Sequence, residues 1–170
     1  MKKILVIAIA ALVSYAANAQ FYVGGSLHAD INDNSYFSIV PEAGYVLSDE
    51  LAVGASIDFT SSKAAYSCIE FAPYVRWTFA DFAPVQLFLD GGITVSSMND
   101  KIVDKTYNAF QIGVKPGFAM PLNDKLSLVG HLGFLGYTAN ENNANWLMRS
   151  EGLGISFSGY DVTFGVFYNF

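Results

Sequence analysis

From Phe21 to Phe170, apolar residues recur at every second position in stretches of about ten residues, separated by polar clusters. Leu51, Val53, Ala55, Ile57 and Phe59 form one set, and Ile69, Phe71, Pro73, Val75, Trp77 and Phe79 a second. Val85, Leu87, Leu89, Gly91, Ile93 and Val95 form a third, and Tyr160, Val162, Phe164, Val166, Tyr168 and Phe170 a fourth. Successive side chains of a strand point to opposite sides, so this pattern predicts strands with one apolar face each. The chain of 170 residues is 52% hydrophobic and only 14% charged, well below the roughly 25% charge of ordinary soluble domains. That composition excludes a disordered chain. With 9 Lys+Arg against 15 Asp+Glu it also excludes a basic nucleic-acid surface.

Eight strands are expected, over 21–30, 36–47, 51–60, 66–79, 85–97, 106–120, 125–137 and 152–170. The connectors alternate. Ser48-Asp49-Glu50, Ala80 to Pro84 and Pro121 to Asp124 are short, whereas the others are longer, up to the Asn-rich segment 138–151. One tight end and one loose end is the pattern of an all-β, antiparallel, up-and-down transmembrane barrel. The faces decide between membrane and water. Phased strand by strand, Glu42, Asp58, Glu70, Arg76, Asp90, Lys115 and Asp161, with Asp30 near a rim, fall on one face, and the opposite face needs no charge. A soluble lipocalin-type barrel would need eight charge-rich outward faces, which 14% cannot supply. The charged face also carries Gly24, Gly44, Gly54, Gly92, Gly113, Gly133 and Gly165, small enough for the interior of an eight-stranded barrel. Aromatics near the strand ends predict two interfacial belts. Trp77, Phe79 and Tyr168 are placed at the short-turn end, and Phe37, Phe59, Phe134 and Tyr137 at the long-loop end.

Residues 1–19 read as a secretory signal. Lys2 and Lys3 precede ten apolar residues, Ile4 to Val13, and Ala17-Asn18-Ala19 predicts cleavage before Gln20, leaving a barrel domain over 20–170. A membrane anchor is disfavoured, because ten helical residues rise only about 15 Å against a core of roughly 30 Å. Cleavage removes two of the nine basic residues and no acid, so 7 stand against 15 and the formal charge becomes -8. Cys68 is the only cysteine, so no internal disulfide is possible. It reads as a small interior residue.

The chain ends Thr163-Phe164-Gly165-Val166-Phe167-Tyr168-Asn169-Phe170. This octet resembles the C-terminal assembly signal of bacterial outer-membrane barrels, with Thr163, Gly165, Tyr168 and Phe170 at its defining positions. Pro41-Glu42-Ala43-Gly44-Tyr45 running into Ser48-Asp49-Glu50-Leu51 is repeated by Pro116-Gly117-Phe118 running into Asn123-Asp124-Lys125-Leu126, with a partial copy at Pro73. Across 20–170 the chain is similar to the small eight-stranded barrels typified by OmpX and the OmpA membrane domain, and especially to barrel-only proteins of Bacteroidota. The resemblance implies a monomer in the outer membrane of a Gram-negative bacterium, surrounded by outer-membrane lipid and inserted by the barrel-assembly machinery. A chain ending at Phe170 is expected to lack a periplasmic peptidoglycan-binding domain. Strand 8 changes phase between Leu153-Ile155-Phe157 and Tyr160-Val162-Phe164, which predicts a bulge at Ser158-Gly159.

Glu42, Glu70, Arg76, Asp90 and Lys115 are the expected lumen charge network, with Asp90 pairing Lys115 and Arg76 reaching Glu70, Asp90 or Glu42. Such pairs in OmpA-like barrels have been linked to opening; a closed plug is favoured here because eight strands leave little aqueous space. No cofactor, metal or catalytic site is expected: two His and one Cys lack ligand spacing. His28, Asp30 and Ser96 are of the residue types used by lipid A-remodelling barrels, yet nothing in their spacing brings them together. His131 lies deeper, among Gly and Leu. Trp146, within 138–151, is the candidate for an extracellular contact. The expected role is structural or interactive, with a minor porin as the alternative and a lipid-modifying enzyme third.

Overall fold

A computed structural model describes residues 21–30, 36–62, 66–140, 151–157 and 162–170. Ten strand segments account for most of them: β1 (Phe21–Asp30), β2 (Tyr36–Val46), β3 (Leu51–Ser62), β4 (Tyr66–Phe82), β5 (Val85–Asp100), β6 (Lys105–Pro121), β7 (Leu126–Leu132), β8 (Phe134–Asn140), β9 (Gly152–Ser156) and β10 (Val162–Asn169). Consecutive strands from β1 to β6 pair antiparallel. β7 and β8 run on as one stave beside β6, and β9 and β10 as another. β10 then pairs with β1, so eight staves close into an antiparallel up-and-down barrel. The closing ladder between β1 and β10 runs from Tyr22 to Ser26, and β9 pairs with β8.

Repeated turn chemistry reverses the chain at the short-turn end. Leu51 N–H donates to Ser48 Oγ at 3.1 Å, and Leu126 N–H donates to Asn123 Oδ1 at 2.9 Å. In both copies a short polar side chain three residues before a Leu satisfies the N–H that opens the next strand. At the seam the start of β1 meets the end of the chain: Phe170 N–H donates to Phe21 O at 2.9 Å, and their rings lie 5.9 Å apart.

The outward face is apolar: Ile39, Val53, Ile57, Phe59, Ile69, Phe71, Val75, Trp77, Ile93, Val95, Ile112, Leu135, Phe164 and Val166 are all exposed. In water this would be an untenable patch, but in a bilayer it is the lipid contact. The strands of the middle staves are longer than the alternation suggests. β4 reaches Phe82, β5 reaches Asp100 and β6 runs from Lys105 through Pro121, because ladder bonding continues beyond the apolar band.

Two bulges reset the phase. From Gly117 to Val114, β6 advances three residues while its partner advances four, from His131 to Leu135. The extra residue, beside Gly133, turns both His131 and Phe134 inward. Phe134 is therefore a lumen residue, 5% exposed, and not part of the outer aromatic belt. Its ring rests where Gly113 and Gly136 leave room. A second shift separates Thr78 from Ala80 in the β4–β5 ladder. The bulge expected at Ser158-Gly159 lies outside the described residues. On the neighbouring stave Ser156 pairs with Phe134 and Val162 with Leu132.

Candidate functional site: a layered lumen

β5 crosses the interior in order. Phe88, Asp90, Thr94, Ser96 and Met98 point inward from the short-turn end to the long-loop end, and all are buried. Phe88 belongs to an apolar layer with Tyr22, Ala52, Val129 and Phe167. Glycines on neighbouring strands give the rings room: Gly44 lies opposite Tyr22, Gly54 opposite Tyr74, Gly117 opposite Phe88 and Gly24 opposite Phe167. A Cβ on any of the four would collide with that ring, so the bore can be filled by large rings only because their partners are glycine.

Above this layer sits an ionic one. Arg76 donates from Nε to Asp90 Oδ1 at 2.8 Å and from Nη2 to Asp90 Oδ2 at 2.7 Å, a bidentate pair. Nη2 also lies 3.3 Å from Glu42 Oε1. Side-chain exposures are 10% for Arg76, 7% for Glu42 and 4% for Asp90, so each charge depends on its partners in place of water. The guanidinium carbon stands 3.9 Å from the centroid of the Phe88 ring, coupling the two layers by a cation–π contact. Tyr74 donates its hydroxyl proton to Glu42, and the Tyr22 and Tyr74 hydroxyls are 2.6 Å apart. His131 completes the layer, with Nε2 2.8 Å from Asp90 Oδ2 and Nδ1 3.1 Å from Thr163 Oγ1. The imidazole thus bridges Asp90 on β5 and Thr163 on β10.

Three of the five residues expected in the charge network, Glu42, Arg76 and Asp90, come together directly. Lys115 stands directly opposite Asp90 in the ladder, as the count from the turns requires. The expected Asp90–Lys115 ion pair is nevertheless absent among the described residues, because Arg76 and His131 hold the Asp90 carboxylate. Lys115 lines the cavity above the ionic layer instead. Glu70 is likewise not a partner of Arg76; it lies on the cavity wall, 3.9 Å from Cys68 Sγ. Tyr22, Tyr74 and His131 were not among the expected network members. Their inward parity beside Glu42, Arg76 and Asp90 was the available signal.

The cavity has about 100 Å³ of space open to water-sized molecules. A buried water needs about 10–15 Å³ of such space, so it is roomy enough for several. Asp58 on its wall accepts from Ser38 Oγ at 2.5 Å and Thr60 Oγ1 at 2.7 Å. Among the described residues no group of three His, Cys, Asp or Glu side chains is placed to hold a metal ion. Ser96 Oγ donates to Ala109 O at 3.5 Å, and β5 is not a neighbour of β1, which carries His28 and Asp30. The side chains of His28 and Asp30, like Asp161 and Trp146, lie outside the described residues.

The C-terminal octet does two separate tasks in the folded barrel. Gly165 packs against the backbone of Gly25 at the closing seam, where a Cβ would fall 2.6 Å from a carbonyl oxygen. Tyr168 and Phe170 stack edge to face at 4.9 Å on the outside. Thr163 points inward to His131.

No protein-family model matches the chain, and no curated protein matches it. The fold does match solved structures. Neisserial surface protein A (NspA) superposes with a TM-score of 0.57 at 16% identity, over 88% of this chain and 97% of that one. The N-terminal β-barrel domain of Pseudomonas aeruginosa OprF superposes with a TM-score of 0.61 at 12% identity, over 90% of this chain and 100% of that one. The closed ring of eight staves with an apolar exterior is thus the transmembrane barrel fold shared by these small outer-membrane proteins.

Proposed function

We propose that this protein is an integral outer-membrane barrel of a Gram-negative bacterium, with a closed lumen and a role in envelope structure or surface contact. The observation that carries the closed lumen is the stacking of the Arg76–Asp90–Glu42–His131 layer on the ring layer of Tyr22, Phe88 and Phe167. A hydrated ion passing this point would have to part a bidentate ion pair and displace packed rings. The signal-like segment 1–19, the C-terminal octet and the likeness to NspA and OprF support the location. On this reading the last strand is the element the assembly machinery engages by strand pairing. The segment 138–151, with Trp146, is the candidate extracellular contact, and the barrel works as a monomer among lipids.

Reconstitution into planar bilayers tests the reading: no steady conductance is expected. A steady pore that is lost in Lys115→Ala would replace this reading with that of a minor porin. A lipid A-modifying role is disfavoured because Ser96 has no His or carboxylate partner among the described residues. Incubation with lipid A followed by mass spectrometry is expected to leave acylation unchanged.

A further inference from the structure

We propose that the ionic layer is a closure strap, a hydrogen-bonded chain inside the lumen that makes pairing of the first and last strands cooperative with the packing of the interior. The β1–β10 ladder differs in kind from the others. Every other pair of neighbouring staves is joined by a connector of the chain itself, whereas this ladder pairs residues as far apart in sequence as Tyr22 and Asn169. Closing so large a loop costs more entropy than folding a hairpin. The seam therefore gains most from a tie that does not depend on its own ladder.

Such a tie runs through the bore. Thr163 of β10 bonds His131 of β7 at 3.1 Å, His131 reaches Asp90 of β5 at 2.8 Å, and Asp90 holds Arg76 of β4 by two bonds. Arg76 reaches Glu42 of β2, Glu42 accepts from Tyr74 of β4, and the Tyr74 hydroxyl meets that of Tyr22 on β1 at 2.6 Å. The chain thus leaves one strand of the seam and arrives at the other after touching four further staves. A threonine hydroxyl gives or takes a proton, so the Thr163–His131 link holds in either imidazole tautomer. Hydrogen bonds linked in a low-dielectric interior strengthen one another.

Glycines make room for the strap on the two staves it skips. A Cβ on Gly54 of β3 would lie 2.9 Å from the Tyr22 hydroxyl and 2.4 Å from that of Tyr74. A Cβ on Gly117 of β6 would lie 2.5 Å from the Phe88 ring, against which His131 packs edge-on. Tyr22 also meets Phe167 of β10 across the seam, with ring centroids 5.9 Å apart. The strap rests on the fold and these contacts, and stands apart from whether the lumen conducts.

The test is amide hydrogen exchange of the folded barrel in micelles, read at Val23, Gly25, Val166 and Tyr168. Counted from the Phe170–Phe21 bond, these amides point across the seam. Tyr22→Phe and Thr163→Val each remove one end link while nearly keeping the side-chain shape. Each is expected to speed exchange at the seam about fivefold, while amides of the β4–β5 ladder keep their rates. The double variant is expected to exchange no faster than either single one, because a strap cut at one end is already lost. Thr60→Val, which removes a lumen hydroxyl bond away from the strap, leaves the seam unchanged. Native amide shifts on β4 and β5 establish that each variant is folded. Seam exchange that is unchanged in both single variants, or raised equally around the ring, overturns the proposal. So does a double variant faster by about twenty-fivefold, the product expected of two independent bonds.

Discussion

The two halves of the lumen solve the same problem in opposite ways. Towards the short turns, large rings and a bidentate ion pair pack across the bore. Towards the long loops, small polar residues such as Ser38, Thr60 and Ser62 line the wall and a cavity remains. Both halves sit inside the same apolar exterior, so the difference is not imposed by the membrane. Rings facing glycines directly across the ladder fill the lower half, whereas in the upper half Phe134, seated against Gly113 and Gly136, leaves a cavity beside it. Four ring–glycine pairs occur in the lower half, where each missing Cβ becomes part of the space a ring occupies.

If the lower half is the structural one, damage there should dominate stability. Arg76→Leu removes the guanidinium with which both Glu42 and Asp90 pair, and should cost about 3–5 kcal/mol in urea unfolding from lipid vesicles. Pairing it with Asp90→Leu should recover part of that loss, since of the two carboxylates only Glu42 is then left without its guanidinium. Failure of the double variant to recover would mean that the ring layer, not the ion pair, holds this level. Phe88→Ala, which empties a side chain only 1% exposed, should cost about 3–4 kcal/mol and should also admit conductance in a planar bilayer.

The exterior supplies a control for both halves. Val75→Arg places a charge on an exposed mid-strand position of β4 and should cost about 2–4 kcal/mol in the same assay, without opening a pore. The upper half should be the most tolerant. Thr60→Val removes one of two hydroxyl donors to Asp58 and should cost about 0.5–1 kcal/mol. A loss in the upper half as large as that of Arg76→Leu would erase the distinction between the halves.

Much of this was legible in the sequence because strand parity is strict. Knowing that Arg76 and Asp90 face inward needed only the apolar neighbours Val75, Trp77, Leu89 and Gly91. The depth match between Asp90 and Lys115 followed from counting residues back to the turns. What parity could not give was the choice of partner. Arg76 and His131 both reach the Asp90 carboxylate, and the planar guanidinium offers it a two-bond fork that a single Lys ammonium cannot. Phe134 was misplaced for a related reason. A bulge costs one residue and carries a weak signal, a lone glycine, yet it inverts the facing of everything beyond it.

The alternation by itself determined the number of staves, the apolar exterior and the confinement of charge to the lumen, because side-chain facing in a strand is a local property of the backbone. Only the tertiary structure decided which charges pair, which rings fill the bore and where space is left. Those outcomes depend on the stagger of eight strands around a closed ring, which brings together residues as distant in the chain as Glu42, Asp90 and His131.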